Sequence, residues 1–208
     1  MFIPRHPVVE DQFCLFGSST DTTGIGGVIA YAGAVVYLDD TKEESEVKKM
    51  AHGVTADPFG FLMQKVKTGY HSVHPVGFVM PGDLGSSDAI AQPTYSTAGV
   101  ITGTTTVPVG VAHLGIYDTI HYTCVKTTVS GVAAVADGSQ PKPGQSLFAA
   151  AEDARVTNST VSSTGTDILG QRVGSVAVAT VVKGVSAAKA ASTFNGGTKY
   201  ALRIKLLV

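Results

Sequence analysis

The amino-acid sequence predicts an all-β fold, a β-sandwich or β-barrel-like domain of short, mainly antiparallel strands with at most one short helix. Three observations carry that expectation. The apolar stretches are short and rich in β-branched and aromatic residues, as in Val28–Leu38 (VIAYAGAVVYL), and such side chains pack well on a pleated surface. Gly, Pro, Asn and Asp punctuate them, most densely at Asp137–Gly144 (DGSQPKPG). Period-two alternation is clear near the C-terminus, where Tyr200, Leu202, Ile204 and Leu206 alternate with Ala201, Arg203, Lys205 and Leu207. Helical periodicity is nearly absent, and strands do not alternate with helices as a parallel α/β sheet requires.

Taken in order, residues 1–20 read as an N-terminal extended arm. Pro4 and Pro7 cannot donate to a sheet ladder, so Met1–Pro7 is expected to be extended and to dock on something, with Val8–Phe16 adding one strand. Gly17–Thr23 is a turn cluster. Val28–Leu38 divides at Gly33 into two strand pieces around a bulge or tight turn. Thr41–Met50 (TKEESEVKKM) is the one helix candidate: Thr41 and Glu44 have capping-box spacing and Lys48 and Lys49 fall in the last turn. A charged solvent loop is the alternative.

Residues Gly53–Lys67 turn through Asp57-Pro58 into a strand over Phe59–Val66. Val73–Met80 is a further short apolar run, and Gly85–Pro93 is polar and looped. The main β-rich domain covers residues 21–208, and an internal boundary, if there is one, falls near residues 85–95. In Pro108–Val125, Ile116, Asp118, Ile120, Tyr122 and Cys124 lie opposite Tyr117, Thr119, His121 and Thr123. Ser146–Ala151 is a strand and Asn158–Thr166 a polar loop. Ile168–Val182 reads as a strand with small apolar residues on both faces, suited to burial on both sides. Asn195-Gly196-Gly197 reads as a hairpin turn before the last strand.

Composition narrows the function classes. Charged residues make up 15% of the chain and hydrophobic residues 44%, against a usual charged share of about 25%. A net charge of −1 and the lack of a basic stripe argue against nucleic acid as a partner. Mean hydropathy is positive at +0.22, yet no apolar run approaches the ~18 residues of a spanning helix, so no membrane partner is expected. The opening MFIPRHPVV places prolines where the apolar core of an export signal would sit. Cys14 and Cys124 are too few for a disulfide framework and read as small buried apolar residues in a reduced protein. A low-charge chain rich in Gly, Val, Thr, Ser and Ala suits a surface covered by neighbouring subunits.

No motif for catalysis stands out. The histidines are His6, His52, His71, His74, His113 and His121. His71 and His74 are three apart, a spacing that converges on a helix, whereas their segment runs into Pro75 and looks extended. No G-x-S-x-G elbow occurs. Gly24–Gly27 and Gly170–Gly174 lack the Lys-Ser/Thr and following helix of a phosphate loop. Asp39-Asp40 and Glu43-Glu44 are sequence neighbours on a charged stretch. Asp83 and Asp88 lack an EF-hand pattern. Asn158-Ser159-Thr160 matches a glycosylation sequon, which has meaning only in a secreted eukaryotic protein. No catalytic, cofactor-binding or metal-ligating residues are therefore assigned, no cofactor is expected, and a non-enzymatic structural role is. A rival ligand-binding or enzymatic reading predicts a deep polar pocket, and would be favoured by His113, His121 and an acid such as Asp118 converging in a cleft.

From Gly144 onward the order is a PxPG turn, the strand Ser146–Ala151 (SLFAAA), the turn Glu152–Thr157 (EDARVT), a polar spacer, Gly170–Val178 (GQRVGSVAV), a Gly/Ser/Ala/Thr break and the closing strand Tyr200–Val208 (YALRIKLLV). This resembles the C-terminal half of the small decoration (cement) proteins of tailed-bacteriophage capsids, and Gly33–Leu38 and Gly60–Gly69 are similar in style to their opening half. The resemblance covers about a third of the chain and involves strand and turn positions only. It implies a structural virion protein on the capsid surface, binding the major capsid protein at subunit junctions and associating with copies of itself, as a trimer by family expectation. Another self-assembling virion subunit, such as a tail-tube protein, is the alternative.

Overall fold

The computed structural model describes residues 2–4, 11–17, 27–43, 45–69, 88–124, 127–129, 132–135, 138–160 and 171–208. In chain order the strands are β1 (Phe2–Pro4), β2 (Asp11–Phe16), β3 (Val28–Ala30), β4 (Val35–Leu38), β5 (Glu46–Lys49), β6 (Gly60–Leu62), β7 (Val66–Thr68), β8 (Ala89–Ala91), β9 (Pro93–Tyr95) and β10 (Ile101–Thr104). They continue as β11 (Val107–Ala112), β12 (Ile116–Thr119), β13 (Tyr122–Thr123), β14 (Thr127–Val129), β15 (Val132–Ala134), β16 (Ser146–Ala150), β17 (Val156–Thr157) and β18 (Arg172–Lys183). The helix α1 (Ala187–Phe194) and the strand β19 (Leu202–Leu206) complete the chain. The all-β expectation holds, with one short helix among the described residues.

Two bodies of sheet dominate. β11, β2, β5, β4 and β6 close into a five-stranded barrel, and β1, β12, β19, β18, β16, β17 and β13 form an open seven-stranded sheet. Most pairings are antiparallel; β2–β5, β7–β8 and β13–β17 are parallel. A three-stranded sheet (β3, β7, β8) and two ribbons (β9–β10 and β14–β15) complete the set. One apolar cluster runs through barrel and sheet, from Val35, Val47, Phe61 and Val109 to Leu147, Ala179, Leu202 and Ile204. Phe2 joins the two bodies. Its ring stacks on Tyr117 at 4.3 Å and on Phe61 at 5.7 Å between centroids.

The N-terminal segment read as an arm is, where described, part of these sheets. β1 pairs with β12, and all six residues of β2 pair with β11. Phe2, Cys14 and Phe16 are buried. Apolar residues outweigh the prolines here: Pro4 stands at the end of an edge strand, where a missing donor is tolerated.

The helix expected over residues 41–50 is instead a turn and the strand β5. Thr41 does not cap a helix: its backbone N–H and its hydroxyl donate to Asp39 Oδ1, at 3.1 and 2.7 Å. Asp39 also binds Lys48 across the hairpin. The Lys48 ammonium and then the Thr41 donors hold the Asp39 carboxyl down at about 2. Val47 enters the core, fully buried between β4 and β2. Burying that one side chain in a closed barrel overrides a weak local helix preference.

Three other expectations are corrected. Residues 89–91, read as loop, form β8, with Ala89 and Ala91 buried beside β7. The sequence after β18 predicts a break followed by a hairpin turn at Asn195-Gly196-Gly197. It is α1, begun by Ser186, whose hydroxyl accepts from Lys189 N–H, and ended by Asn195 with Gly196 at φ +76°. Ala-rich sequence favours the helix and the left-handed glycine its stop. Finally, β18 is not buried on both faces. Leu147 and Ala149, two residues apart on β16, pair with Ala179 and Val173 on β18. The surplus residues of β18 bulge out, leaving Gly174, Ser175 and Val176 exposed. The last strand matches its predicted alternation, with Leu202, Ile204 and Leu206 buried and Lys205 and Leu207 exposed.

Gly33 sits at φ +91° in the β3–β4 turn, where a Cβ would lie 2.9 Å from Thr119 Oγ1 and 3.2 Å from the Phe2 ring. The expected tight turn is there, and it lets the strands approach the sheet. Gly60 is the barrel's counterpart: a Cβ would lie 2.5 Å from Val111 Cγ1 and 2.9 Å from the Ala112 carbonyl. Gly60→Ala is expected to lower stability by about 1–3 kcal/mol, read from the midpoint of urea denaturation against wild type.

Candidate functional site

The residues weighed for chemistry in the sequence do not gather at one point. His113 lies beside Phe59, ring to edge at 4.5 Å, with Nδ1 2.8 Å from the Phe59 carbonyl. Asp118 binds the Arg203 guanidinium through both oxygens, Oδ1 from Nε at 2.8 Å and Oδ2 from Nη2 at 3.2 Å. His121 bonds to the backbone of a different turn, at Asp153. His52 is exposed. Cys14 and Cys124 are both buried, and burial pushes the Cys14 thiol up to about 11, which leaves it unreactive in the folded chain. The Asn158 side-chain amide donates to the Ser139 carbonyl and to Gln145 Oε1. Asp88 pairs with Lys65 and Lys67. His6, His71, His74, Glu44, Asp83 and parts of both glycine motifs lie outside the described residues, as do residues 73–80 and 161–166. Among the described residues no three His, Cys, Asp or Glu are grouped to hold a metal ion.

What the fold does assemble is a cleft of about 280 Å³ near the junction of the barrel and the sheet. Four separate segments build it. The β3–β4 turn brings Tyr31 and Ala32; the β12–β13 turn brings Ile120 and His121, with Tyr122 following on β13. Arg155 comes from just after the β16–β17 turn, and Thr193, Phe194 and Lys199 from the end of α1 and beyond.

The β16–β17 turn is strained. Arg155 N–H donates to the Glu152 carbonyl at 3.1 Å, and both central residues, Asp153 (φ 55°) and Ala154 (φ 54°), are left-handed. Asn-Gly suits such a two-residue hairpin turn, and L residues with a Cβ cost roughly 1–2 kcal/mol each there. Tertiary bonds hold it. The Asp153 carbonyl accepts from His121 Nε2 at 2.9 Å, and the Ala154 carbonyl accepts from Val35 N–H at 2.8 Å.

That bond also fixes His121. A carbonyl can only accept, so Nε2 carries the proton and Nδ1 is left as an acceptor. Burial drives the imidazole down to about 4, against a smaller upward pull from the Asp153 carbonyl. It is therefore neutral at pH 7, with Tyr31 tilted against it at 5.4 Å. Arg155 binds Glu152 Oε1 at 3.2 Å and approaches Asp153 Oδ2 at 3.6 Å, while its buried Nε has no partner among the described residues. Lys199 Nζ donates to the Thr193 carbonyl at 2.6 Å, in the last turn of α1, where the helix dipole favours a cation. Thr193 Oγ1 accepts from Tyr200 N–H at 3.0 Å, and Phe194 meets Tyr122 edge-on at 5.7 Å.

The cleft thus offers aromatic walls, two cations and one neutral imidazole. Two of its hydroxyls are bonded within the protein: Tyr122 OH donates to Thr193 Oγ1 at 3.5 Å, and Thr193 Oγ1 donates to the Lys189 carbonyl. Such a set is built for holding a ligand more than for activating a nucleophile. Sequence reading weighed His121 alone among these residues, because the others come from distant segments with no shared spacing. The chain matches no protein-family model, no curated protein and no solved structure.

Proposed function

We propose that this chain is a structural virion subunit, a decoration protein that binds the outside of a phage capsid at subunit junctions and stabilises the shell. The supporting observation is the outer face of the seven-stranded sheet. Val182, Leu207 and Val176 are 44%, 51% and 37% exposed on or beside adjacent strands there, whereas their sequence neighbours Val181 and Leu206 are buried in the core. Large apolar side chains left exposed on a sheet favour a partner surface. A chain that is 15% charged and similar in strand and turn order to cement proteins supports the same reading. Its partners would be the major capsid protein and copies of itself, at the capsid surface, by a mechanical action with no catalytic step.

The test mixes purified chain with expanded, DNA-free capsids of the phage whose genome encodes it, followed by sedimentation. Saturable co-sedimentation is expected, and Val182→Lys with Leu207→Lys should reduce it at least tenfold while the melting curve stays cooperative. Failure of the wild-type chain to bind expanded shells overturns the proposal. Formation of rings or tubes by the chain alone would instead favour a tail-tube subunit.

A further inference from the structure

We propose that the cleft between Tyr31 and the end of α1 binds a small organic anion, a single carboxylate attached to a flat apolar ring. The inference is independent of the sheet face and of any shell partner.

Charge chooses the anion. Lys199 has no carboxylate partner among the described residues; its one bond is to the neutral Thr193 carbonyl. Arg155 is already faced by Glu152 and Asp153, and Lys49 lies 3.9 Å from Asp153. Of the two lining cations, Lys199 alone is left without a carboxylate among the described residues, so the cleft holds one uncompensated positive charge while His121 stays neutral. That surplus suits a carboxylate better than a phosphate dianion. Charge-assisted bonds from Lys and Arg to a carboxylate are the strong class.

Shape chooses the ring. Tyr31, His121 and Phe194 supply aromatic surface, and aromatic faces hold one another best in offset or edge-on contact. At about 280 Å³ the cavity falls just under the ~300–1,000 Å³ of sites for larger ligands, so it has room for one ring and one carboxylate. His121 adds a direction: with Nε2–H committed to Asp153, it offers a ligand only the acceptor Nδ1. The same chemistry is carried by a free aromatic acid and by the C-terminal phenylalanine of a peptide.

The test is a titration of the full chain, followed by ¹H–¹⁵N and imidazole NMR, with phenylacetate and separately with a short peptide ending in phenylalanine. Acetate supplies the charge alone and benzyl alcohol the ring alone. Phenylacetate or the peptide should give saturable shifts at His121 and Phe194, at least tenfold tighter than either control, and whichever binds more tightly identifies the source. Lys199→Gln keeps a donor for the Thr193 carbonyl but loses the charge, and should weaken binding about tenfold, as losing one charge-assisted bond implies. Lys199→Arg should restore it. The proposal is overturned if neither aromatic carboxylate saturates, if acetate binds as well as phenylacetate, or if Lys199→Gln binds like wild type.

Discussion

A chain lacking residues 1–16 is expected not to fold. The deletion removes β1 and β2 together, and β2 is the strand that closes the barrel, paired along its full length with β11 and in parallel with β5. It also takes Phe2 from between Tyr117 and Phe61. Losing a buried phenylalanine alone costs about 3–5 kcal/mol, against a total of roughly 5–15 kcal/mol for a domain. Opening a barrel adds two raw strand edges, each a template for aggregation. The measurement is near-ultraviolet circular dichroism with a thermal melt. A truncated chain with native-like signal and a cooperative transition would show that residues 11–16 are dispensable to the barrel. Phe2→Ala, the milder change, should still fold, with stability reduced by about 3–5 kcal/mol.

Acid is expected to loosen the protein well above the range where its carboxylates titrate. His121 is held at about 4 in the folded chain, against 6.5 for the free side chain, so the unfolded state binds the extra proton first. Stability is therefore complete above about pH 6.5 and declines as pH falls from there to about 4. Two and a half units at 1.36 kcal/mol each make the loss about 3 kcal/mol. Burial supplies the shift, with the Arg155 cation adding to it and the Asp153 backbone bond and carboxylate opposing it. Urea midpoints measured at steps from pH 7 to 4 should fall across that window. His121→Gln keeps a donor for the Asp153 carbonyl and cannot titrate, so its profile should be flat over the same range. A wild-type profile as flat as the variant's would mean that the imidazole reaches water. Below this window Asp39 follows: its carboxylate contribution is present above about 3.8 and is lost as pH falls toward 2.

The fold class was legible because it rests on local chemistry. The alternation of Leu202, Ile204 and Leu206 with exposed neighbours, the glycine at the β3–β4 turn and the dense turn before β16 all act within a few residues. Closure of the barrel was not legible. Residues 41–50 carry capping-box spacing and lysines in the last turn, and it is pairing with β4 and with the more distant β2, which flank Val47, that decides otherwise. Conversely, α1 is an eight-residue helix whose two buried positions are Ala190 and Thr193; neither is apolar enough to leave a periodic trace. The N-terminal segment carries prolines that suggest an arm, and its strands find their partners β11 and β12 about a hundred residues away. The cleft is illegible for the same reason. Tyr31, His121, Arg155 and Lys199 have no common spacing, and although Glu152–Thr157 reads as a turn, nothing in it marks Asp153 and Ala154 as left-handed, since neither is glycine.

The pairing of β2 with β11 also sets an order of events in time. On a ribosome, Cys14 emerges early and must wait for Val109, its partner in the ladder, before the barrel can shut. Until then β4, β5 and β6 can pair among themselves, but β2 has only the short β5 contact. Contacts so far apart in the chain make folding slow, and a strand left waiting is exposed to other nascent copies. The yield of folded chain would then be governed less by the stability of the finished barrel than by how long β2 stays unclaimed.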